Sequence, residues 1–473
     1  MKCTYSNPPT AMNGLVPPLL ADATSASVLA PWYSASSVPA SGFGLVESQV
    51  SAAVLQHLDS ISRKSWPIDI FISAYFSTFH RSFPILNEKI FRSQLQEESL
   101  SAGFSTLLLA MVLISNLSSK IAFRSVDASK DGGKTKEELY STLKNIYSSL
   151  LSTGNVTTEI VQAGIIIAAY EYCQAMHQDA WLSIGTCARL GQVLGLHLFI
   201  RKPMPPEPEN RAEFEMRRCT WWGVVVLERI INTSSSSQNL PFASQAPCLD
   251  DLLPLVPNEN GESYPVSTDL VTPNLTDGQI ELFNREFTRL GNFGSTIQAC
   301  YLSTLVTAHI TNTCTIPEDK QEEARKLDTA LQSFGCVLIP PPGMAVGSYC
   351  GAYGLRTLEA FTLHSHSLTT ATRAGDKDGI ARATIALQSL ARTTIHMTKA
   401  SSVGRPLDFD GMAFWANAIV AKAAMVHIRL GDRDKDWKGD LEVLKDLLGW
   451  LAPRFRLYGM CFHFDLPGLG RRE

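Results

Sequence analysis

The sequence contains no Cys-x-x-Cys pair, no run of Lys or Arg longer than two, and no apolar run approaching the thickness of a bilayer. Each absence closes a class of function. Zinc modules built on paired thiolates need closely spaced cysteines. The ten cysteines instead sit singly, at 3, 173, 187, 219, 248, 300, 314, 336, 350 and 461. Three pairs are fourteen residues apart (173/187, 300/314, 336/350), which on one straight helix separates the thiols by about 21 Å. No secretory leader is evident and a chain this long needs no disulfide staples, so free thiols acting as small apolar core residues are expected. The 41 Lys and Arg are scattered against 45 Asp and Glu, giving a net charge of −4. Holding a polyanion needs a clustered basic face instead. The longest strongly apolar run, Leu107 to Ile114, falls short of the ~20 residues of a membrane span. A soluble, intracellular chain with no membrane partner is expected.

Enzyme signatures are missing too. There is no Gly-x-Ser-x-Gly elbow, no His-Glu-x-x-His and no phosphate loop. His364 and His366 are two residues apart, so on a helix they face different ways. Cys461-Phe462-His463-Phe464-Asp465 is a tight cluster, but it lies in a chain end expected to fray. Asp250-Asp251 reads as the solvated edge of a loop. Glu137-Glu138 reads as acid favoured at a helix start.

What is present is apolar material in helical order. Hydrophobic residues make up 45% and charged ones 18% of 473 residues, enough for a sizeable core. Residues 1–46 are rich in Pro, Ser, Ala and Gly, with Lys2 and Asp22 their only charges, and read as a disordered, linker-like tail. Residues 47–470 read as one helical domain. Phe71, Ile72, Tyr75, Phe76 and Phe79 follow three/four spacing. Thr135-Lys136-Glu137-Glu138 has the form of a capping box ahead of Leu139, Leu143, Ile146, Tyr147 and Leu150. Val161, Ile165, Ala168, Ala169 and Tyr172 form another stripe, as do Ile280, Phe283, Phe287 and Leu290. Met412, Ala416, Ile419, Val420, Ala423 and Val426 form a last one, with Pro406 placed to open it. Asp131-Gly132-Gly133, the Pro-rich run 202–208, residues 233–275 and Pro340-Pro341-Pro342-Gly343 read as breaks. No strand alternation or fixed repeat is evident. The fold class expected is all-α, a large irregular multi-helix bundle behind the tail.

Two segments between Ala180 and Arg229 read as helices buried on most sides. In the first, Trp181, Ile184, Ala188, Leu190 and Leu194 are apolar. Gly185 and Gly191 leave room for a neighbouring helix, and Gly195, before Leu196-His197, can end the helix. In the second, Arg217-Arg218 precede Trp221-Trp222, and Glu228-Arg229 close the segment. Upstream, an aromatic helix leads to Phe79-His80 and the turn Phe83-Pro84-Ile85-Leu86, with His80 read as a C-terminal helix cap. The order and spacing of these three motifs, over roughly 65–260, resemble the fungal-specific transcription factor domain, the middle homology region of binuclear zinc-cluster regulators. The family pattern departs at one place. The Asp-Arg ending becomes Glu228-Arg229, and the Gly-Arg-Pro turn that should follow is replaced by Ser234–Ser237 and Leu240-Pro241-Phe242. Gly404-Arg405-Pro406 lies too late to substitute.

The resemblance implies a nuclear regulator of RNA polymerase II transcription, acting as the effector-sensing and interaction part of a zinc-cluster factor. Met1-Lys2-Cys3-Thr4-Tyr5 looks like the tail of such a cluster, so Cys3 is its one candidate remnant ligand. Zinc, and DNA as a partner, are expected only if an upstream cluster exists. A chain cut short at its start and a cluster-free helical scaffold both remain open, the first preferred. The transcription machinery or a homologous regulator is the expected protein partner. An aromatic-rich bundle can also enclose a small-molecule effector.

Overall fold

A computed structural model of the chain describes residues 40–456, except 65, 98, 120, 122–131, 204, 235–239, 249–250, 255, 258–262, 265–290, 313–316, 339–349, 403–409, 411 and 432–435. Residues Met1–Leu45 group apart from Val46–Glu473. Of the first unit only the start of a helix is described, and the second unit holds all the other described residues. The expected stripe at 280–290 and the cluster at 461–465 lie outside the described residues.

The helices run in order α1 (Ala40–Lys64), α2 (Ile68–Ser77), α3 (Phe79–Ser82), α4 (Glu88–Gln94), α5 (Ala102–Ser115), α6 (Gly132–Thr153), α7 (Thr158–Cys173) and α8 (His177–Val193). A 3-10 turn, Leu196–Leu198, leads to α9 (Pro208–Ser234). Then come α10 (Gly291–Thr311), α11 (Pro317–Val337), α12 (Cys350–Ala374), α13 (Lys377–Ser402), α14 (Ala418–Leu430) and α15 (Trp437–Leu451). The fold is all-α. Among the described residues the one β pairing is a two-residue antiparallel ladder of Val256–Pro257 with Ser263–Tyr264.

Two helices form the centre because they are apolar on every side. All of α5 is buried, and so is α7 from Ile160 to Cys173, the fate of a helix without a polar face. Both start on side-chain caps: Ser101 Oγ accepts from Phe104 N at 3.1 Å, and Thr157 Oγ1 accepts from Ile160 N at 3.4 Å. α7 packs between α5 and α8. The absent side chain of Gly164 makes this possible, because a Cβ there would lie 2.5 Å from Cys187 Sγ and against Tyr147 Oη. In the C-terminal half α12 packs on α10 and α13. There a Cβ on Gly354 would come within 2.7 Å of the Ala416 backbone.

Several boundaries move from their expected places. α6 begins at Gly132, so Gly132-Gly133 is helical and Thr135 stands inside the helix rather than capping it. The apolar stripe from Leu139 to Leu150 packs on the core and outweighs the roughly 1 kcal/mol that each helical glycine costs. α14 begins at Ala418, well after Pro406, and residues 414–417 form a turn. Ala416 belongs to that turn, seated on Gly354. His80 does not cap α2. It lies in α3, with its ring edge-on to Phe76 at 4.9 Å and its Nδ1 without a hydrogen-bond partner among the described residues. Burial lowers its pKa to about 4.

Candidate functional site

The site grows from α9. Pro208 opens this helix at the end of the Pro-rich connector, and every residue from Arg218 to Ile231 is buried. Aliphatic and indole side chains explain most of that burial. Three charged residues do not fit the same account, and each is held by a group far away in sequence.

Arg218 is fully buried. Its Nε donates to the Phe199 carbonyl at 3.1 Å, Nη2 to the Lys202 carbonyl at 2.8 Å, and Nη1 to Glu215 Oε2 at 3.2 Å. The guanidinium lies 5.1 Å from the Phe214 ring centre. Burial lowers its pKa, and Glu215 opposes the shift. Arg218 thereby ties the connector after α8 to α9.

Glu228 and Arg229 form the second node, one turn before the helix end. Glu228 Oε1 accepts from Ala243 N at 2.6 Å, and Oε2 from Ser244 N at 3.0 Å and Ser244 Oγ at 2.5 Å. Arg229 Nη1 meets Glu228 Oε2 at 3.1 Å and also donates to Ser244 Oγ, while Nη2 donates to the Gln245 carbonyl at 3.1 Å. The guanidinium stacks over Phe242 at 4.3 Å. A buried ion pair needs its remaining donors and acceptors met by other groups, and here the returning loop 240–248 meets both Glu228 oxygens and both Arg229 Nη atoms, with Arg229 Nε left without a partner among the described residues. The loop then runs back along α9. Trp222 Nε1 donates to the Leu252 carbonyl at 3.0 Å, and Leu252 N donates to the Ile200 carbonyl at 2.6 Å. Asp251, expected at a solvated edge, is buried. It accepts from Arg201 Nε at 3.1 Å and Cys248 N at 2.7 Å, because the loop folds inward there. Asp250 is outside the described residues.

One turn further, Thr233 Oγ1 and Ser303 Oγ both lie 2.6 Å from Glu359 Oε1, joining α9, α10 and α12. Glu359 is fully buried, and that burial raises its pKa to about 7 against the two hydroxyl contacts and Lys422. At the other side of α9, Thr220 Oγ1 and Gln162 Nε2 both donate to the Ile85 carbonyl, at 3.2 and 3.0 Å. Gly223 sits where a Cβ would be 2.5 Å from Ile85 Cγ2. The first and third sequence motifs therefore meet.

The other motif residues fall into place around this helix. Trp221 packs over Gly191, whose Cβ would lie 3.0 Å from the indole, and against His197 at 5.7 Å between ring centres. Gly195 has φ +68° and ends α8 as expected, and Leu196 beyond it is buried. Phe83 is buried among Phe293, Phe414 and Trp415, Phe79 stacks on Phe414 at 5.4 Å, and Pro84 is half-buried. Gly185 faces Ala243 of the loop, 3.9 Å from where its Cβ would stand. Trp181 is only half-buried, and α8 exposes one whole face instead of being covered on most sides. Ser244, Thr233, Ser303 and Glu359 gave no advance sign, since hydroxyl and carbonyl partners carry no spacing pattern. The acidic loop itself was the available signal for Asp251.

Among the described residues these polar groups join one helix to another. Lys144 Nζ reaches Glu171 Oε1 at 2.6 Å and Ser183 Oγ at 2.9 Å, but Glu171 and Ser183 are sealed in the core. A cleft bounded by Thr78, Phe79, Ser118, Asp410 and Phe414 measures about 40 Å³, and another beside Gln388 and His427 about 20 Å³. Both are sized for a few waters rather than for a metabolite. Cys173, Cys187, Cys219 and Cys300 are buried thiols, Cys248 and Cys336 are exposed, and none of these forms a disulfide. No three His, Cys, Asp or Glu side chains converge among the described residues, which therefore do not fit a zinc cluster. Cys3 lies outside them. No helix of the described residues is long and apolar enough to cross a membrane.

Residues 72–333 match the model of the fungal specific transcription factor domain. The citrinin biosynthesis transcriptional activator mrl3 of Monascus ruber is 28% identical over 193 residues, 41% of this chain and 36% of that protein. Transcription factor BOA15 of Botryotinia fuckeliana is 28% identical over 151 residues, 31% of this chain and 74% of that protein. Transcription factor tazR of Aspergillus terreus is 36% identical over 80 residues, 17% of this chain and 13% of that protein. The chain spans about a third of the length of the citrinin activators it matches. No solved structure matches it.

Proposed function

This chain belongs to the fungal specific transcription factor domain family, and on that premise we propose that it regulates transcription in the nucleus of a fungus. The observation that carries the reading is the family match over the span that holds all three motifs, together with relatives named as transcription factors and activators. In this reading the described helices are the regulatory part, working through contacts with the transcription machinery or a homologous regulator. DNA contact, and any zinc, belong to a module outside the described residues, with Cys3 as a candidate ligand. The loop segment 240–248, clamped on Glu228 and Arg229, serves as a fixed part of the scaffold. Lys144, half-buried, contacts the buried Glu171 and Ser183 and so joins α6, α7 and α8.

The test has two arms. Sequencing the 5′ end of the transcript and translating upstream of Met1 asks whether five further cysteines precede Cys3 in zinc-cluster spacing. Tethering the chain to an unrelated DNA-binding domain in a reporter strain asks whether it changes transcription. A change in reporter output supports the reading. No change from a folded, nuclear fusion sinks it. An in-frame stop just upstream with no cluster, alongside an active tethered fusion, leaves a cluster-free regulator.

A further inference from the structure

Glu359 of α12 is 1% exposed, and side chains of two other helices reach it. Thr233 Oγ1 of α9 and Ser303 Oγ of α10 each lie 2.6 Å from the same carboxyl oxygen, Oε1. Thr233 also touches its own helix, with Oγ1 2.8 Å from the Arg229 carbonyl. A hydroxyl has one hydrogen to give, and a carbonyl oxygen can only accept. Two arrangements therefore satisfy the group. With Glu359 neutral, its proton sits on Oε1 and is donated to Thr233, while Thr233 donates to the Arg229 carbonyl and Ser303 to Oε1. With Glu359 charged, that proton has left for solvent, and Thr233 turns its hydrogen from the Arg229 carbonyl to Oε1. The two arrangements differ by one proton and one hydroxyl rotation.

The surroundings set the balance. Burial favours the neutral form and raises the pKa to about 7, against the Ser303 and Thr233 contacts and Lys422 of α14. α11 and α13 also pack on α12, and among the described residues they bring no charge to bear on Glu359. On α10, Cys300 feels both Arg229 and Glu359, and burial pushes its thiol up, so it stays neutral. On α9, Arg229 is engaged with Glu228 and Ser244. The element that reads a change at Glu359 is thus the last turn of α9, through Thr233. That turn in turn holds the loop beyond it. Asn232 Nδ2 donates to the Leu240 carbonyl at 3.2 Å, and Arg229 Nη2 to the Gln245 carbonyl at 3.1 Å.

We propose that Glu359 and Thr233 make the end of α9 a proton-operated joint, closed when Glu359 is neutral and loosened when it is charged. The charged form leaves a carboxylate in the core, and opening the last turn of α9 relieves it by letting water reach Oε1. The loosening extends to the loop 240–248, because the same turn anchors that loop. The sign follows from linkage. The folded state holds the proton more tightly than the open one, so closure is complete below the ordinary 4.5 and weakens as pH rises through about 7. This device goes beyond the transcriptional reading and does not depend on it.

The test is hydrogen exchange read by mass spectrometry on the full chain at pH 6 and pH 8, each amide's rate being divided by its intrinsic rate at that pH. A carboxyl with a pKa of about 7 when closed and 4.5 when open raises the opening equilibrium about tenfold between those two pH values. That rise should appear in residues 226–234 and 240–248 and be absent from α5 and α7. Glu359→Gln, neutral at both pH values, should abolish it. Thr233→Val removes the hydroxyl that steadies the charged form, so the rise should become steeper, and Thr233→Ser should return it to the native size. A rise that survives Glu359→Gln, a rise that Thr233→Val leaves unaltered, no rise in the native chain, or an equal rise in α5 and α7 overturns the proposal. Should circular dichroism show that Glu359→Gln does not fold, the comparison of Thr233→Val with Thr233→Ser decides. Exchange in solution reads nothing of transcription, so its failure leaves the tethered-reporter result standing.

Discussion

α8 and α9 are neighbours built from similar residues, and they end in opposite situations. α8 buries its small side chains and leaves Leu182 and Val193 in solvent. α9 buries everything from Arg218 to Ile231, charged groups included. The difference lies in what comes back to cover each helix. The loop segments 240–248 and 251–254 bring carbonyls, amide N–H groups and the Ser244 hydroxyl to Glu228, Arg229 and Trp222. On α8 the same loop reaches the edge at Gly185 and Gln192, whose Nε2 donates to the Ala243 carbonyl at 3.2 Å. A helix is core or surface according to the polar partners its neighbours supply, as well as its own hydrophobicity.

The sharpest way to break the contrast is to strip one partner from the covered helix. Arg229→Ala leaves Glu228 buried against Ser244 without its cation, a change expected to cost about 3–5 kcal/mol. Urea denaturation should show it, and Glu228→Gln/Arg229→Met should cost visibly less. If the double variant is the worse of the two, the pair is not acting as a unit.

Glu359 gives the next effect, through pH. Its folded pKa of about 7 stands above the ordinary 4.5 because the neutral form is favoured by burial. Between those values the folded state holds the proton more tightly than the unfolded chain. Stability contributed by this group is therefore full below about pH 4.5 and declines as pH rises to 7. The penalty above that amounts to about 3 kcal/mol. Denaturation curves at pH 5 and pH 8 should differ by roughly that much more for the native chain than for Glu359→Gln. Identical pH dependence in the two proteins would exclude Glu359 as the source.

Close packing comes third. Gly164→Ala puts a methyl against Tyr147 Oη and Cys187 Sγ, so it should destabilise by about 1–3 kcal/mol despite the better helix propensity of alanine. A neutral or stabilising result would show that α6 and α8 can separate cheaply from α7. The smallest effect belongs to the open face of α8. Leu182→Ser should move stability by less than about 0.5 kcal/mol. A larger loss would mean that Leu182 is covered by part of the protein itself.

The helical class, the stripes of α2 and α7, the end of α8 at Gly195 and the disposition of Trp221 and Trp222 in the core could all be read from residue order. Apolar periodicity and a glycine at a left-handed position are local properties of a sequence. The three motifs also pack against one another, since Ile85 touches Thr220 and Gly191 touches Trp221. Thr135 misled, because a capping pattern says where a helix can start and not that the turn before it will unwind. Pro406 misled in the same way for α14.

Residue order alone therefore determined that this chain is a helical member of its family, with three motifs that pack into its core. Tertiary structure alone decided that Asp251 would be buried on Arg201 and that Ser244 would complete Glu228 and Arg229. It also decided that Glu359 would meet Thr233 and Ser303, and that one apolar face would stay open. The reason is physical. A buried charge is settled by hydroxyls, carbonyls and amide N–H groups brought from distant parts of the chain, and such groups leave no pattern in the sequence by which their partners could be foreseen.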